Sequence, residues 1–328
     1  ILITLFGLYI RLGIRRKRIT VKTMFGGFVI NLISITAIFF LVWYLQEFLI
    51  DLYSHYKRYY GNIFYNYDYY IWGLTAISLA AFARVQQSVF NKLTLDNYIA
   101  GSLTLNICVL IFLSLIKPTT AYFIIYPLLF IVITQIVSIY LNYSEKSKPK
   151  QYHFMQLIAI CPAIALYAPT IKLLYLILAL KLFMAANAVF LILLTQMLAQ
   201  IKLFFNINKR LLPLSALIIS LIFFVMAHLH SGYDPEHPLQ SNVIYCLDAD
   251  SKKAIWVSRH LNTDEWNQQF FPNSKKGLLN KFYPDSDKIC LINQAPFIDI
   301  AAPQLKIIQD RIINHKRFVT LAFTTNRK

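Results

Sequence analysis

The sequence predicts a polytopic α-helical membrane protein of about seven helices plus a truncated one, followed by a small β-rich, sandwich-like extracytoplasmic domain. Of the 328 residues, 57% are hydrophobic and only 14% are charged, whereas a soluble domain has about 25% charged residues. The charge is unevenly spread: residues 1–232 hold 24 charged side chains, and residues 233–328 hold 23. We therefore predict a multi-spanning transmembrane region at 1–232 and a truncated extracytoplasmic β-rich domain at 233–328.

Seven apolar runs are long enough to cross a bilayer, because a spanning helix needs about 20 mostly apolar residues. Residues 1–10 are typical of the second half of another span. The chain starts with Ile1 inside this run and ends straight after a strand-like stretch, so we expect it to be a fragment of a longer protein. The seven runs cover approximately residues 24–50, 70–90, 97–117, 120–142, 154–176, 178–201 and 211–230.

Lysine and arginine side chains cluster on alternate connections between these runs. Basic residues flank membrane spans on the cytoplasmic side, which explains the pI of 9.6 better than nucleic-acid binding, a partner we do not expect. The opposite side, the periplasm of a bacterium or the lumen in a eukaryote, then holds residues 233–328. Because Ile, Lys and Asn are abundant and only 9 Gly occur, we expect the bacterial inner membrane. The predicted cytoplasmic segments are 11–22, 91–96, 143–152 and 202–210.

Few polar side chains lie inside the apolar runs. The ionisable ones are Glu47, Arg84, Lys172 and Lys181, and those near helix ends can extend to water. A proton-coupled transporter normally needs a carboxylate near the middle of a span, and no predicted span has one. We expect the amide side chains to form hydrogen bonds between helices; they are Asn31, Asn106, Gln135, Asn187 and Gln196.

Ten aromatic side chains crowd the segment from Tyr53 to Trp72. Tyrosine and tryptophan favour the headgroup region of a membrane, because the ring is apolar while the hydroxyl or N–H group stays hydrated. The first interpretation is therefore an interfacial belt. A platform that binds carbohydrate or lipid is the alternative.

The C-terminal part has the pattern of short strands. Residues 242–248 and 254–258 are apolar runs joined by a polar turn, which predicts a hairpin. A short helix is predicted from Thr263 to Phe271, where Pro272 ends it. Many short strands with one helix are typical of a small β-sandwich. Further strands are predicted at 288–293, 295–300, 305–313 and 317–324, the last two forming a hairpin around Asn314-His315.

Two of the four cysteines, Cys246 and Cys290, belong to this exported domain, while Cys108 and Cys161 lie in predicted spans. An oxidising compartment permits a disulfide between Cys246 and Cys290. Two buried free thiols are the other possibility, since sequence does not establish that the two Cα atoms are close enough for a bridge.

One group of side chains has the residue types of a metal site: His228, His230, Asp234, Glu236 and His237. Such side chains bind zinc when they converge, but Pro235 and Pro238 interrupt the run, which indicates a linker. Asp248 and Asp250 lie in a predicted hairpin turn, so they are expected either to be solvated or to cap the turn. No HExxH, GxSxG, phosphate-loop or CxxC pattern occurs. We therefore predict no catalytic, cofactor-binding or metal-binding residue in this chain.

Two groups of residues carry a family resemblance. The first is the run from Pro118 to Phe130, with Tyr122 and Pro127 inside it. The second follows the last span and consists of Asp234–Pro238, Ile244–Asp250, Lys253–Ser258, Asp264–Trp266, Ala295-Pro296, Ala302-Pro303 and Lys316-Arg317. Together they resemble the membrane-bound zinc metallopeptidase family of the vacuolar membrane protease and endoplasmic-reticulum metallopeptidase type, with its bacterial relatives.

The resemblance implies a function for the longer protein. In that family a membrane helix precedes an extracytoplasmic peptidase domain with two zinc ions, followed by a multi-helix region and a β-rich domain. This chain would be the membrane and C-terminal portion of such an aminopeptidase-type hydrolase, supporting a catalytic domain before Ile1. The zinc ions would belong to that domain, so no cofactor is expected here. The implied partners are the lipid bilayer, the peptidase domain and, through it, peptide substrates.

Two other functions fit the pattern. One is a transporter or permease-like protein with a periplasmic domain, for which a cavity at membrane mid-depth lined by broken helices would be typical. The other is a non-enzymatic scaffold or envelope-assembly protein.

Overall fold

The chain divides into two compact units, Ile1–Gly232 and Tyr233–Lys328. The first unit contains the helices and the second contains the strands. The computed structural model describes residues 1–53, 65–145, 147–178, 180, 182–232, 234–237, 241–248, 250–261, 263–280, 288–299 and 304–324.

Nine α-helices form the described part of the first unit, and each of the seven apolar runs overlaps at least one of them. The prediction of a mostly helical chain with a small C-terminal β region is confirmed. A short 3-10 turn at Pro118–Thr120 precedes α5. The helices are α1 Leu2–Arg15, α2 Val21–Leu52, α3 Tyr67–Val89, α4 Leu95–Ile116, α5 Tyr122–Tyr140, α6 Pro149–Leu178, α7 Phe183–Gln196, α8 Leu198–Ile207 and α9 Leu211–Leu229.

Fewer helices than predicted are apolar enough to cross a membrane. Among the described helices, α2, α4, α5, α6 and α9 meet that condition, and α7 with α8 makes a sixth candidate that is bent by 68°. Helix α3, which covers the predicted span 70–90, is not among these candidates, because its sequence includes polar residues such as Thr75, Gln86 and Gln87. Because α3 packs against α2, α7 and α9, many of its side chains contact protein, which accommodates polar groups that form hydrogen bonds.

Small residues let two pairs of helices approach closely. A Cβ atom on Gly101 of α4 would lie 2.5 Å from the backbone nitrogen of Phe28 in α2. On α3, a Cβ atom on Gly73 would lie 2.9 Å from the Phe224 ring of α9. The Ser220 hydroxyl of α9 also donates a hydrogen bond to the Gly73 carbonyl at 2.8 Å. Close crossings at small residues are typical of helices in membranes.

The second unit contains a four-stranded antiparallel sheet in the order β1-β2-β4-β3 and a separate β5–β6 hairpin. Both predicted hairpins are confirmed. Asn314 and His315 turn the second one with φ angles of 50° and 62°, as a tight hairpin turn requires. The strands are β1 Ile244–Asp248, β2 Lys253–Ser258, β3 Lys275–Leu278, β4 Ile289–Ala295, β5 Gln304–Ile313 and β6 Lys316–Thr324.

Three predictions for this unit are wrong in detail. The described side chains of β5 are exposed, so the hairpin does not form a sandwich core with the four-stranded sheet. Residues 296–299 form no strand, and the predicted helix is only a 3-10 turn at Asn267–Phe270.

The four-stranded sheet has two distinct faces. One buries Cys246, Val257 and Cys290, and both thiols are free; burial raises the pKa of Cys246.

Candidate functional site at the basic end of the helical unit

The four basic connections meet at one end of the helical unit, here called the basic end. The Arg18 guanidinium, between α1 and α2, donates hydrogen bonds to the Tyr143 carbonyl at 2.7 Å and to Asn142 Oδ1 at 2.8 Å, between α5 and α6. Lys209, between α8 and α9, donates to Asn91 Oδ1 at 3.3 Å, between α3 and α4. Segments that the charge pattern assigns to one compartment are therefore neighbours in space.

A polar cavity of about 500 Å³ lies at the basic end, and residues from all four connections line it. Its cationic side chains outnumber its carboxylates four to two. The Lys202 ammonium lies 5.2 Å from the centre of the Phe90 ring, within cation–π range. The charged lining residues are Lys17, Arg18, Lys92, Lys202, Asp96 and Glu145.

Asp96 is a carboxylate that lines both the cavity and a smaller void at this end. It lies in the first turn of α4, where a negative charge interacts favourably with the helix dipole. The Tyr152 hydroxyl of α6 donates a hydrogen bond to Asp96 Oδ1 at 3.0 Å. Asp96 and Arg18 also line a small void together with Tyr9, whose buried hydroxyl has no hydrogen-bond partner among the described residues.

The basic-end cavity can hold a small polar ligand, because it offers ammonium, guanidinium, carboxylate and amide groups. Asp96 is not among the site residues that the sequence predicts. The available signal was an acidic residue in a helix-starting position, two residues after Thr94, on an otherwise basic connection. That signal is also typical of ordinary helix starts.

All five predicted amide side chains make hydrogen bonds to another helix, which confirms that prediction. They link α2 with α4, α4 with α7, α5 with α6, α3 with α7, and α6 with α7. The pairs are Tyr98 to Asn31 at 3.1 Å, Asn106 to Thr195 at 3.0 Å, Gln135 to Gln156 at 2.8 Å, Ser78 to Asn187 at 2.9 Å, and Gln196 to Asn106 at 3.1 Å and Tyr167 at 3.3 Å.

The ionisable residues within the apolar runs do not join this network. Glu47, Arg84 and Lys172 are all exposed on the surfaces of their helices. Arg84 donates a hydrogen bond to Gln87 Oε1 on its own helix at 3.0 Å. Lys181 lies outside the described residues.

At the opposite end of the helical unit, here called the aromatic end, hydrogen bonds join the segment before α3 to the end of α9. Asn66 Nδ2 donates to the carbonyls of Ala227 and His230, both at 3.0 Å. Tyr53 and Tyr70 are buried in the protein with ring centres 5.7 Å apart, so the interfacial-belt interpretation is wrong for these two residues. Trp72 is 49% exposed. Residues 54–64, which carry several of the aromatic side chains, lie outside the described residues.

The histidines near the end of α9 have separate partners. His228 Nδ1 lies 2.9 Å from the Tyr53 hydroxyl, and His230 Nδ1 lies 2.8 Å from the Met226 carbonyl. His237 Nδ1 lies 3.0 Å from Asp234 Oδ1, and the backbone N–H of His237 lowers the pKa of that carboxyl. In the part of the chain that the structure describes, no three His, Cys, Asp or Glu side chains form a metal-binding group.

Asp248 caps the β1–β2 turn, as predicted. Its Oδ1 accepts hydrogen bonds from the backbone N–H groups of Asp250 and Ser251, each at 3.1 Å. The Ser251 hydroxyl donates to Oδ2 at 2.5 Å. These bonds, with the hydroxyl first, lower the pKa of Asp248.

No family model, curated protein or solved structure matches this chain. The resemblance to the zinc metallopeptidase family therefore stays a prediction from the residues that carry it.

Proposed function

We propose that residues 1–232 are embedded in a lipid bilayer. The support is the distribution of side chains in the helical unit, which exposes large apolar side chains on its outside and places its paired amides inside. Leu115 of α4, Phe130 of α5 and Val225 of α9 are at least half exposed, while the paired amides are buried or, for Gln196, half-buried. Large apolar patches are unusual on proteins that stay monomeric in water, but lipid tails are as apolar as these side chains.

The basic end is proposed to face the cytoplasm of a bacterial inner membrane, with residues 233–328 in the periplasm. The support is the meeting of four basic connections at one end, since lysine and arginine concentrate on the cytoplasmic side. Helix α9 starts beside Arg210 at that end and ends near His228 at the aromatic end. The chain that follows α9 then continues on the other side of the membrane.

In function, the chain is proposed to anchor and support a zinc-dependent peptidase domain that precedes Ile1 in a longer polypeptide. The observation that carries a supporting role is the interior of the helical unit, where buried amides pair with one another across helices. Such pairs stabilise helix association and supply no nucleophile or general base. The peptidase assignment rests on the family resemblance alone, and the two zinc ions and the peptide substrates belong to the preceding domain.

A transporter is the second candidate, and one observation favours it. Helices α7 and α8 form a span bent by 68°, and Gln196 beside the break contacts Asn106 and Tyr167. Broken helices that carry polar groups line the substrate sites of many transporters. The charged residues Glu47 and Lys172, however, are exposed on helix surfaces and do not line such a site.

The test uses the complete gene product that contains this chain. Membranes are extracted with alkaline carbonate, and release of N-terminal residues from peptides is measured with and without a zinc chelator. We expect the protein to stay in the membrane pellet and the peptidase activity to be sensitive to the chelator. Release into the carbonate supernatant would contradict embedding. A gene product without chelator-sensitive activity would contradict the peptidase role, and solute uptake into proteoliposomes would favour the transporter.

A further inference from the structure

A groove of about 840 Å³ runs between α3 and α9 and opens to the outside of the helical unit. Each helix contributes one face, with residues spaced at i, i+3, i+4 and i+7. Its walls are formed by Ile77, Ala80 and Ala81 from α3 and by Pro213, Leu214 and Leu217 from α9. The volume falls in the range of about 300–1,000 Å³ that ligand pockets occupy.

The groove exists because short side chains line part of it, and the two helices do not need to separate to form it. Farther along the pair, α3 and α9 are held together by the Ser220–Gly73 hydrogen bond and by the Phe224 ring against Gly73. At the groove, α3 presents Ala80 and Ala81, whose short side chains leave space beside α9. The walls are therefore preformed and mainly apolar.

Two guanidinium groups lie where the groove reaches the basic end of the helical unit. Arg84 is five residues before the end of α3, or about 7.5 Å along the helix, and Arg210 directly precedes α9. Both side chains are exposed. The described polar partner of Arg84 is Gln87, and the ion pairs among the described residues involve neither arginine. The groove thus has unpaired positive charge at one end and apolar walls along the rest.

We propose that this groove binds one anionic phospholipid, with an acyl chain between α3 and α9 and the phosphate at Arg84 and Arg210. The inference rests on the proposed embedding in a membrane. Guanidinium groups bind phosphate oxygens through paired hydrogen bonds. Basic pockets between membrane helices on the cytoplasmic side bind anionic headgroups, and these two arginines lie at the basic end.

The basic-end cavity is the weaker location for the same lipid. It also contains cations, but Asp96 and Glu145 line it and would repel a phosphate. Its lining is predominantly polar, so it offers no apolar wall for an acyl chain. The α3–α9 groove combines both requirements of a phospholipid, namely a cationic end and an apolar wall.

The test measures lipid retention by native mass spectrometry of the full chain, purified in detergent and supplied with phosphatidylglycerol or phosphatidylcholine of identical acyl chains. We expect wild-type protein to retain phosphatidylglycerol about tenfold better, because its headgroup has a net negative charge, whereas the choline ammonium offsets the phosphate charge of phosphatidylcholine. The double variant Arg84→Gln/Arg210→Gln should lose this preference. The matched control Lys17→Gln/Lys92→Gln removes two charges from the basic-end cavity and should keep it.

A second variant tests the apolar wall without changing charge. Ala81→Phe fills the groove and should lower retention of both lipids, while its unfolding temperature reports whether the fold is intact. Unchanged retention in Ala81→Phe and in the arginine double variant would overturn the proposal, as would loss of the preference in the lysine control alone. If the protein resists carbonate extraction but shows no lipid preference, lipid binding in the groove is contradicted and the proposed membrane embedding stands. Protein absent from membranes would overturn both.

Discussion

The helical unit and the four-stranded sheet differ in where their polar side chains lie. In the helical unit, amides such as Gln135 are buried, while Phe130 on the same helix is half exposed. In the sheet, Cys246 and Val257 are buried, and the turn carboxylate Asp248 accepts its hydrogen bonds at the surface. This difference is compatible with the proposed lipid around the helices and with water around the sheet.

The largest effect should come from the closest backbone contact in the helical unit. Gly101→Leu would place side-chain atoms against the backbone of α2, where even a Cβ atom lies 2.5 Å from the nitrogen of Phe28. We expect a loss of more than about 3 kcal/mol, because the backbone cannot move aside as a side chain can. Size-exclusion chromatography of detergent-solubilised protein measures the folded fraction. Gly26→Ala is the control, because no atom lies within 4 Å of its added Cβ; equal yields would contradict the close crossing.

A charged residue tests the two surroundings directly. Phe130→Arg, near the middle of α5, should destabilise the protein by about 2.5 kcal/mol if lipid surrounds that helix. Leu278→Arg makes the same kind of change at a half-exposed position of β3 and should change stability by less than about 0.5 kcal/mol. Unfolding in mixed micelles measures the change in stability of both variants. Equal effects would remove the distinction between the two units.

A smaller effect is expected from the buried amides. Gln135→Leu leaves the Gln156 carbonyl without its donor at 2.8 Å, which should destabilise the helical unit by about 1 kcal/mol. The double variant Gln135→Leu/Gln156→Leu should be more stable than the single one, since both polar groups are then replaced. Thermal unfolding of the wild type, the two single variants and the double variant gives the coupling free energy between the two side chains. Strictly additive losses would show that the two amides do not act as a pair.

The smallest effect concerns the turn of the sheet. The hydrogen bonds from Ser251 and Asp250 hold the pKa of Asp248 below its usual value, so their stabilising contribution is complete above the unfolded pKa and is lost as the pH falls through the folded pKa. We expect hydrogen exchange of β1 and β2 to increase below about pH 4. Asp248→Asn should show less of this pH dependence than wild type. Asp250→Asn is the control, and a profile identical to that of Asp248→Asn would contradict the capping role.

The apolar runs predicted the helices well, because a span must be apolar over most of its length whatever its neighbours are. Helix α3 was also predicted, from the run 70–90, but it is less apolar than the candidate spans, since protein covers many of its side chains and Thr75 and Gln86 are paired or buried there. Strand β3 was missed because Lys275-Lys276-Gly277-Leu278 contains no β-branched or aromatic residue. It is a strand because it pairs with β4 at the edge of the sheet.

The amides could be predicted as helix-linking groups from residue type alone, but their partners could not. Gln135 and Gln156 meet only because α5 and α6 pack together. The groove at Arg84 and Arg210 depends on the same kind of information, since its two arginines are far apart in sequence. Neither residue has a local pattern that separates it from an ordinary helix-flanking cation.

The orientation of the two units across the membrane is tested most directly by cysteine labelling. Lys150→Cys, at the basic end, and Glu265→Cys, in the β-rich unit, are both exposed positions and are treated separately with a membrane-impermeant maleimide in intact spheroplasts, with the unsubstituted chain as background. We expect Glu265→Cys to react at once and Lys150→Cys to react only after permeabilisation. Reaction of Lys150→Cys in intact spheroplasts, with Glu265→Cys protected, would contradict the account.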